Sequence, residues 1–172
     1  MSKKLFPFIM LCTFFLYSCE NKIKKLESGS LHKAGVVLSF DDNYVNAWFE
    51  ADKKLRHYSW KATFCVSNIN TLNSSDINKL LQLQSQGHEI AAHGFNHLNA
   101  KKFVAQNGIE AYIHKEIDPM MRLMQFYSLK ATSFAYPFGF RNKTIDAELS
   151  KKFKILRGTT YGAEDPFYQN CY

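Results

Sequence analysis

Val36-Val37-Leu38-Ser39-Phe40-Asp41-Asp42 is a short apolar and β-branched run that ends on two acids. Its place at the head of an alternating pattern decides the fold. A helix-like stretch over about residues 45–57 leads to a second run, Ala62-Thr63-Phe64-Cys65-Val66, and then to a helix over Ile77–Gln86. That helix carries an N-cap cluster, Ser74-Ser75-Asp76, before it and Gly87 just past its end. A third run, His88-Glu89-Ile90-Ala91-Ala92, precedes a long helix over about 109–127 that Pro119 must kink or divide. Thr132-Ser133-Phe134-Ala135-Tyr136 is a fourth strand, and a helix-like stretch over 143–153 leads to a fifth, Lys154-Ile155-Leu156-Arg157-Gly158. Strands alternating with helices are the pattern of βα units, so an α/β fold around a parallel sheet is expected. Periodicity alone leaves open whether five such units make an open doubly wound sheet or the larger part of a barrel.

The chain has 172 residues, of which 46% are apolar and 22% charged. That is one domain's worth of a globular protein and excludes a disordered or fibrous chain. The formal net charge of +7 attracts acidic polymers and anionic surfaces without specificity and says nothing of catalysis.

Ahead of the first strand, Lys3 and Lys4 precede a 13-residue apolar run from Leu5 to Tyr17 that reaches Ser18-Cys19. A membrane span needs about 20 such residues, so the run reads as an export signal over residues 1–18. Leu16-Tyr17-Ser18-Cys19 resembles a lipobox, with Cys19 as the lipid anchor, residues 19–34 as a polar tether and residues 35–172 as the domain. An ordinary signal with an incidental Cys19 is the alternative. The expectation is an exported lipoprotein held at the cell envelope, with a membrane contact through its lipid, no nucleic-acid partner and an open oligomeric state. Cys65 and Cys171 then remain, as one bridge or two free thiols.

In parallel α/β folds reactive groups gather at the carboxyl ends of the strands. Here those ends hold Asp41-Asp42, His93-Gly94-Phe95-Asn96-His97 and Pro137-Phe138-Gly139. Paired acids often only cap a helix, and two histidines can simply face solvent. At an i, i+4 spacing on one helical turn, however, two histidines come about 5–6 Å apart, close enough to share a metal ion. Two acids and two histidines at one sheet end supply a His, His, carboxylate ligand set with a spare carboxylate to act on a proton.

Ser39-Phe40-Asp41-Asp42, His93-Gly94-Phe95-Asn96-His97 and Phe134-Ala135-Tyr136-Pro137-Phe138-Gly139, in this order, resemble the first three motifs of the polysaccharide deacetylases, the NodB-homology or carbohydrate esterase four family, over about residues 36–160. The resemblance implies a distorted (β/α) barrel, incomplete at its C-terminus in this chain, that removes acetyl groups from N- or O-acetylated polysaccharide. It implies Asp41 as general base; Asp42, His93 and His97 as ligands of a divalent metal, usually zinc; and the Phe138 backbone N–H as an oxyanion donor. Tyr136, Pro137 and Gly139 would contact an acetylated glycan substrate, and Tyr44, Phe95, Tyr136 and Phe140 are aromatic candidates for stacking on sugar rings.

The departures are specific. Ser39 replaces the commoner Thr, Gly94 replaces a Ser or Thr whose hydroxyl braces the histidine loop, and Ala135 stands where many relatives carry an arginine that orients the base. Arg141 and Arg157 are candidates to reach that space from elsewhere. Neither the Asp and Trp motif nor the Leu-x-His motif of the catalytic acid comes after Thr160, so truncation is expected, with activity greater on O-acetyl than on N-acetyl sugars. A non-catalytic glycan-binding protein on the same fold is the second reading, and cleavage of a non-sugar amide the third.

Overall fold

The computed structural model describes residues 35–159. The signal segment, Cys19 and its tether, and Cys171 lie outside the described residues.

Five parallel strands form one sheet: β1 (Ser39–Asp42), β2 (Thr63–Val66), β3 (Glu89–Ala92), β4 (Ser133–Ala135) and β5 (Ile155–Arg157). Their spatial order, β1-β2-β3-β4-β5, is their chain order, and every neighbouring pair is parallel. A doubly wound sheet reverses direction at a switch point, whereas a barrel advances one way. The monotonic order therefore settles the open alternative in favour of part of a (β/α) barrel.

Crossing between strands are α1 (Val45–Leu55), α2 (Ser74–Ser85), α3 (Ala100–Asn107), α4 (Ile109–Tyr112), a π turn (Ile113–Ile117), α5 (Asp118–Phe126) and α6 (Lys143–Leu149). Alternation along the strands separates the two faces of the sheet. Phe64, Val66, Ile90, Phe134 and Tyr136 point into one large core with Trp48, Leu80, Leu83, Ile117, Met120 and Leu149 of the helices. The other face carries small or polar side chains: Cys65, Ala91 and Ala135 form a second, minor cluster. Next to it the Glu89 carboxylate accepts hydrogen bonds from Thr63 (2.9 Å), Thr132 (3.2 Å) and Ser133 (2.5 Å).

Several boundaries differ from the sequence expectation. The first strand begins at Ser39 because pairing begins opposite Thr63, while Val36 and Val37 remain exposed. The cap of α2 is Asn73, not the Ser74-Ser75-Asp76 cluster: its side chain accepts from the Asp76 N–H, and Asp76 reciprocates to the Asn73 N–H, a capping box. The helix α3 was not expected at all, although Asn99 caps it by accepting from the Lys102 N–H. The long helix is divided, as Pro119 requires, into α4, the π turn and α5, with Pro119 in the first turn of α5.

Candidate metal centre

Asp41 and Asp42 are consecutive on β1, so strict alternation would send their side chains to opposite faces. Asp42 escapes this with φ +83°. That left-handed turn at the strand's end lets both carboxylates reach the same imidazole: Asp41 Oδ2 lies 4.0 Å and Asp42 Oδ1 3.8 Å from His93 Nε2. The turn is held because the Asp42 carbonyl accepts the Ser67 N–H at 2.8 Å.

His93 continues the inner face of β3 two residues beyond Ala91, and it is buried. Its Nδ1 lies 2.8 Å from the Ala135 carbonyl, which accepts only, so Nδ1 carries the proton and Nε2 offers a lone pair. Burial lowers the pKa of His93 below its ordinary value, against the opposing pull of the Ala135 carbonyl and of Asp41. The ring is thereby kept in the neutral form that ligation needs.

His97 comes to the same point by a route the i, i+4 argument did not foresee. The segment from His93 to His97 is a loop, not a helical turn, and His97 has φ +56°. The loop folds back so that His97 Nε2 lies 3.2 Å from His93 Nε2 and 3.3 Å from Asp42 Oδ1. An ion in tetrahedral coordination with bonds of about 2.0–2.1 Å needs donor atoms about 3.3 Å apart. Two of the observed separations, 3.2 and 3.3 Å, meet that requirement and the third, 3.8 Å, is about half an ångström longer; the donor set of two imidazoles and one carboxylate suits a borderline-soft divalent ion. Among the described residues this trio has its ligand atoms within 4.8 Å of one another.

Asp41 stands beside the trio and is held from the far side. The Arg157 guanidinium donates to Asp41 Oδ1. Position 135 on β4 pairs in register with Arg157 on β5, so this guanidinium reaches Asp41 from the strand next to Ala135. Arg141, the other candidate, bonds Asp146 through Nε (3.0 Å) and through a second amino nitrogen (2.8 Å).

Phe138 has φ +61° and ψ +2° inside the turn Pro137–Gly139, and its ring, 58% exposed, meets that of His97 at 4.8 Å between centroids. Gly139 is required there: with φ +72°, a Cβ would overlap the side chain and backbone of Thr159. Tyr136, Pro137 and Gly139, the residues expected to contact substrate, are all buried. Tyr136 is 1% exposed, faces the helical core and donates its hydroxyl to Asp146 Oδ1 at 2.8 Å. Its place on the strand alternates with Ala135, so it cannot share the inner face. Pro137 and Gly139 are buried and shape the loop. Phe95 packs on the core, whereas Tyr44, Phe138 and Phe140 are exposed at this end.

Residues 28–154 match the family described as polysaccharide deacetylase. A curated relative, a gellan lyase of a Bacillus species, is 31% identical over 130 residues, which is 75% of this chain and 5% of that protein. A solved chitin deacetylase from Colletotrichum lindemuthianum superposes with a TM-score of 0.57 at 15% identity, covering 70% of this chain and 53% of that one. A peptidoglycan deacetylase from Bacillus subtilis gives 0.56 at 16%, covering 78% and 61%. A deacetylase from Streptococcus pyogenes gives 0.57 at 21%, covering 69% and 53%. These structures share the fold, and the chain spans about half to three-fifths of their length.

Proposed function

This chain belongs to the polysaccharide deacetylase family, and on that premise we propose that it hydrolyses acetyl groups from an acetylated polysaccharide, with Asp41 as general base beside a divalent ion held by Asp42, His93 and His97. The donor set favours zinc. The observation that carries the reading is the adjacency of two unlike carboxylates: Asp42 converges with both imidazoles, and Asp41 reaches His93 with one oxygen while Arg157 holds the other.

When bound, a divalent ion supplies Lewis acidity that polarises an acyl oxygen and eases the ionisation of water. The protein's part is orientation. Arg157 occupies Asp41 Oδ1, which leaves Oδ2, on the side of His93, to take a proton. The Ala135 carbonyl fixes the tautomer and tilt of His93. The left-handed turn at Phe138 orients its backbone N–H as a donor to the developing oxyanion, and the exposed rings of Tyr44, Phe138 and Phe140 offer apolar faces to sugar.

An amine must be protonated as it leaves, whereas an alkoxide departs more readily. His114 pairs with Asp118 at 3.5 Å on the helical side, and among the described residues the ion-pair partners of Asp41 are His93 and Arg157. Acetate release from O-acetylated xylan is therefore expected to exceed release from N-acetylated chitin oligomers or peptidoglycan. Asp41→Asn is expected to reduce it by about 10²–10⁴-fold. A glycan-binding protein without turnover needs neither Asp41 nor Arg157, so binding with no acetate release would overturn the enzyme reading.

Export belongs to the same proposal. Residues 1–18 act as the signal, Cys19 as the lipidated anchor and residues 19–34 as the tether of the domain over 35–172. Cys19→Ala is expected to move the protein out of the membrane fraction; a wild-type chain without lipid mass would leave a plain secretory signal.

A further inference from the structure

The loop that delivers the two histidines is held by a side chain from another element. Glu116 lies in the π turn Ile113–Ile117 and is 0% exposed. Its Oε1 accepts the Leu98 N–H at 2.7 Å, and its Oε2 accepts the Asn96 N–H at 2.9 Å and the Asn96 side-chain amide at 3.1 Å. The Glu116 backbone carbonyl accepts the Phe95 N–H at 3.2 Å, and the Lys115 carbonyl accepts the Asn96 amide at 2.9 Å. The amides on both sides of His97 thus end on one carboxylate. Hydrogen bonds from backbone N–H to a carboxylate are among the stronger kind, and a loop residue at positive φ, as His97 is, persists only where its surroundings over-determine it.

Gly94 belongs to the same arrangement. A Cβ there would lie 2.5 Å from Glu116 Oε1, and the residue has φ +89°. Any side chain at 94, including the hydroxyl that is absent, would displace the carboxylate. The π turn that presents Glu116 is a rare element, frequent at functional sites.

We propose that Glu116 is the positioning residue of the metal centre: its carboxylate replaces the missing hydroxyl brace at position 94 and fixes the loop so that His97 Nε2 meets His93 and Asp42. The proposal rests on the metal-site reading, and it assigns Glu116 no contact with substrate or ion. It predicts an effect on metal affinity that a purely structural role would not produce.

The test is cobalt(II) titration of the full chain, followed by visible absorption at a temperature where each variant is folded. Glu116→Gln keeps the volume but puts an amide donor against a backbone donor. It is expected to weaken cobalt binding about tenfold or more, within the usual 10–100-fold cost of losing a ligand-orienting partner. Asp52→Asn, which disturbs a buried carboxylate at the opposite end of the sheet, is the control and is expected to bind as wild type. Affinity of Glu116→Gln within about twofold of wild type would overturn the proposal. Should that variant not fold, Asn96→Ala decides: a several-fold loss supports the brace and unchanged affinity refutes it. If wild type takes up no cobalt, the metal reading fails separately. The brace is then read from amide exchange at Asn96 and Leu98, where faster exchange in Glu116→Gln supports it and unchanged exchange overturns it.

Discussion

Arg157 reaches Asp41 from the strand beside Ala135. Ala135 and Arg157 are paired across β4 and β5. The sequence narrowed the choice to Arg141 or Arg157; it could not decide, because the decision lies in the register. Arg157→Leu is expected to lower the rate of acetate release by about 10–100-fold, the value of a hydrogen bond to a charged group, with metal content unchanged; metal loss would show that Arg157 supports the ligands instead. The histidine pair was legible for the wrong reason. Spacing suggested a helical turn, whereas a loop with two left-handed residues, Gly94 and His97, brings the rings together. Such φ values at Asp42, His97 and Phe138 arise from tertiary bonds that no local pattern encodes. Cys65 was legible in kind, as a small buried side chain. Burial pushes its thiol pKa up, against the pull of Ser39 and Arg157, so the unfolded chain loses this proton before the folded one does. The thiol's contribution to stability is complete below the ordinary thiol range and is lost as pH rises through the raised folded value. In the native protein, the peptide carrying Cys65 should resist iodoacetamide at pH 8 by mass spectrometry and react on unfolding; rapid native labelling would contradict the burial.

At the scale of elements, the strands were readable because each is a short apolar run bounded by turn residues; the carboxyl ends of β2 and β3 fall where expected, and the other ends shift by one to three residues because pairing, not composition, sets them. The helix α3 was missed because its few apolar residues make a weak stripe, and its start is declared by one side chain, Asn99. A polar cluster fixes α1 to the amino ends of β2 and β3. Asp52 accepts from Arg56 (3.0 Å) and Trp60 (3.2 Å) and lies 3.0 Å from His88 Nε2. The Ala62 N–H donates to His88 Nδ1 at 3.2 Å, so the proton on Nε2 goes to Asp52. Composition gave no hint that His88 was more than a bland histidine, because its partner lies 36 residues away. Asp52→Asn replaces an acceptor with a donor inside this network and is expected to cost about 3 kcal/mol. That should lower the Tm by about 10 °C in a thermal melt; an unchanged Tm would mean that the cluster adds nothing to docking α1.

For the whole molecule, the five parallel strands in chain order are one face of core and one face of small and polar side chains, and the chemistry collects where the second face reaches the carboxyl ends. The order of motifs was enough to anticipate this arc of barrel, because each motif ends a strand. What the sequence could not show is that one face would be lined by Cys65, Ala91 and Ala135, whose small side chains leave Arg157 room to reach Asp41. The central claim is that the two neighbouring acids have different work, Asp42 with the histidines and Asp41 apart from them. Metal stoichiometry of purified variants tests it most directly. Wild type is expected to hold one divalent ion per chain, His93→Ala and His97→Ala none, Asp42→Asn much less, and Asp41→Asn the full amount. Loss of metal in Asp41→Asn equal to that in Asp42→Asn, or stoichiometric metal in a chain lacking both histidines, would contradict it.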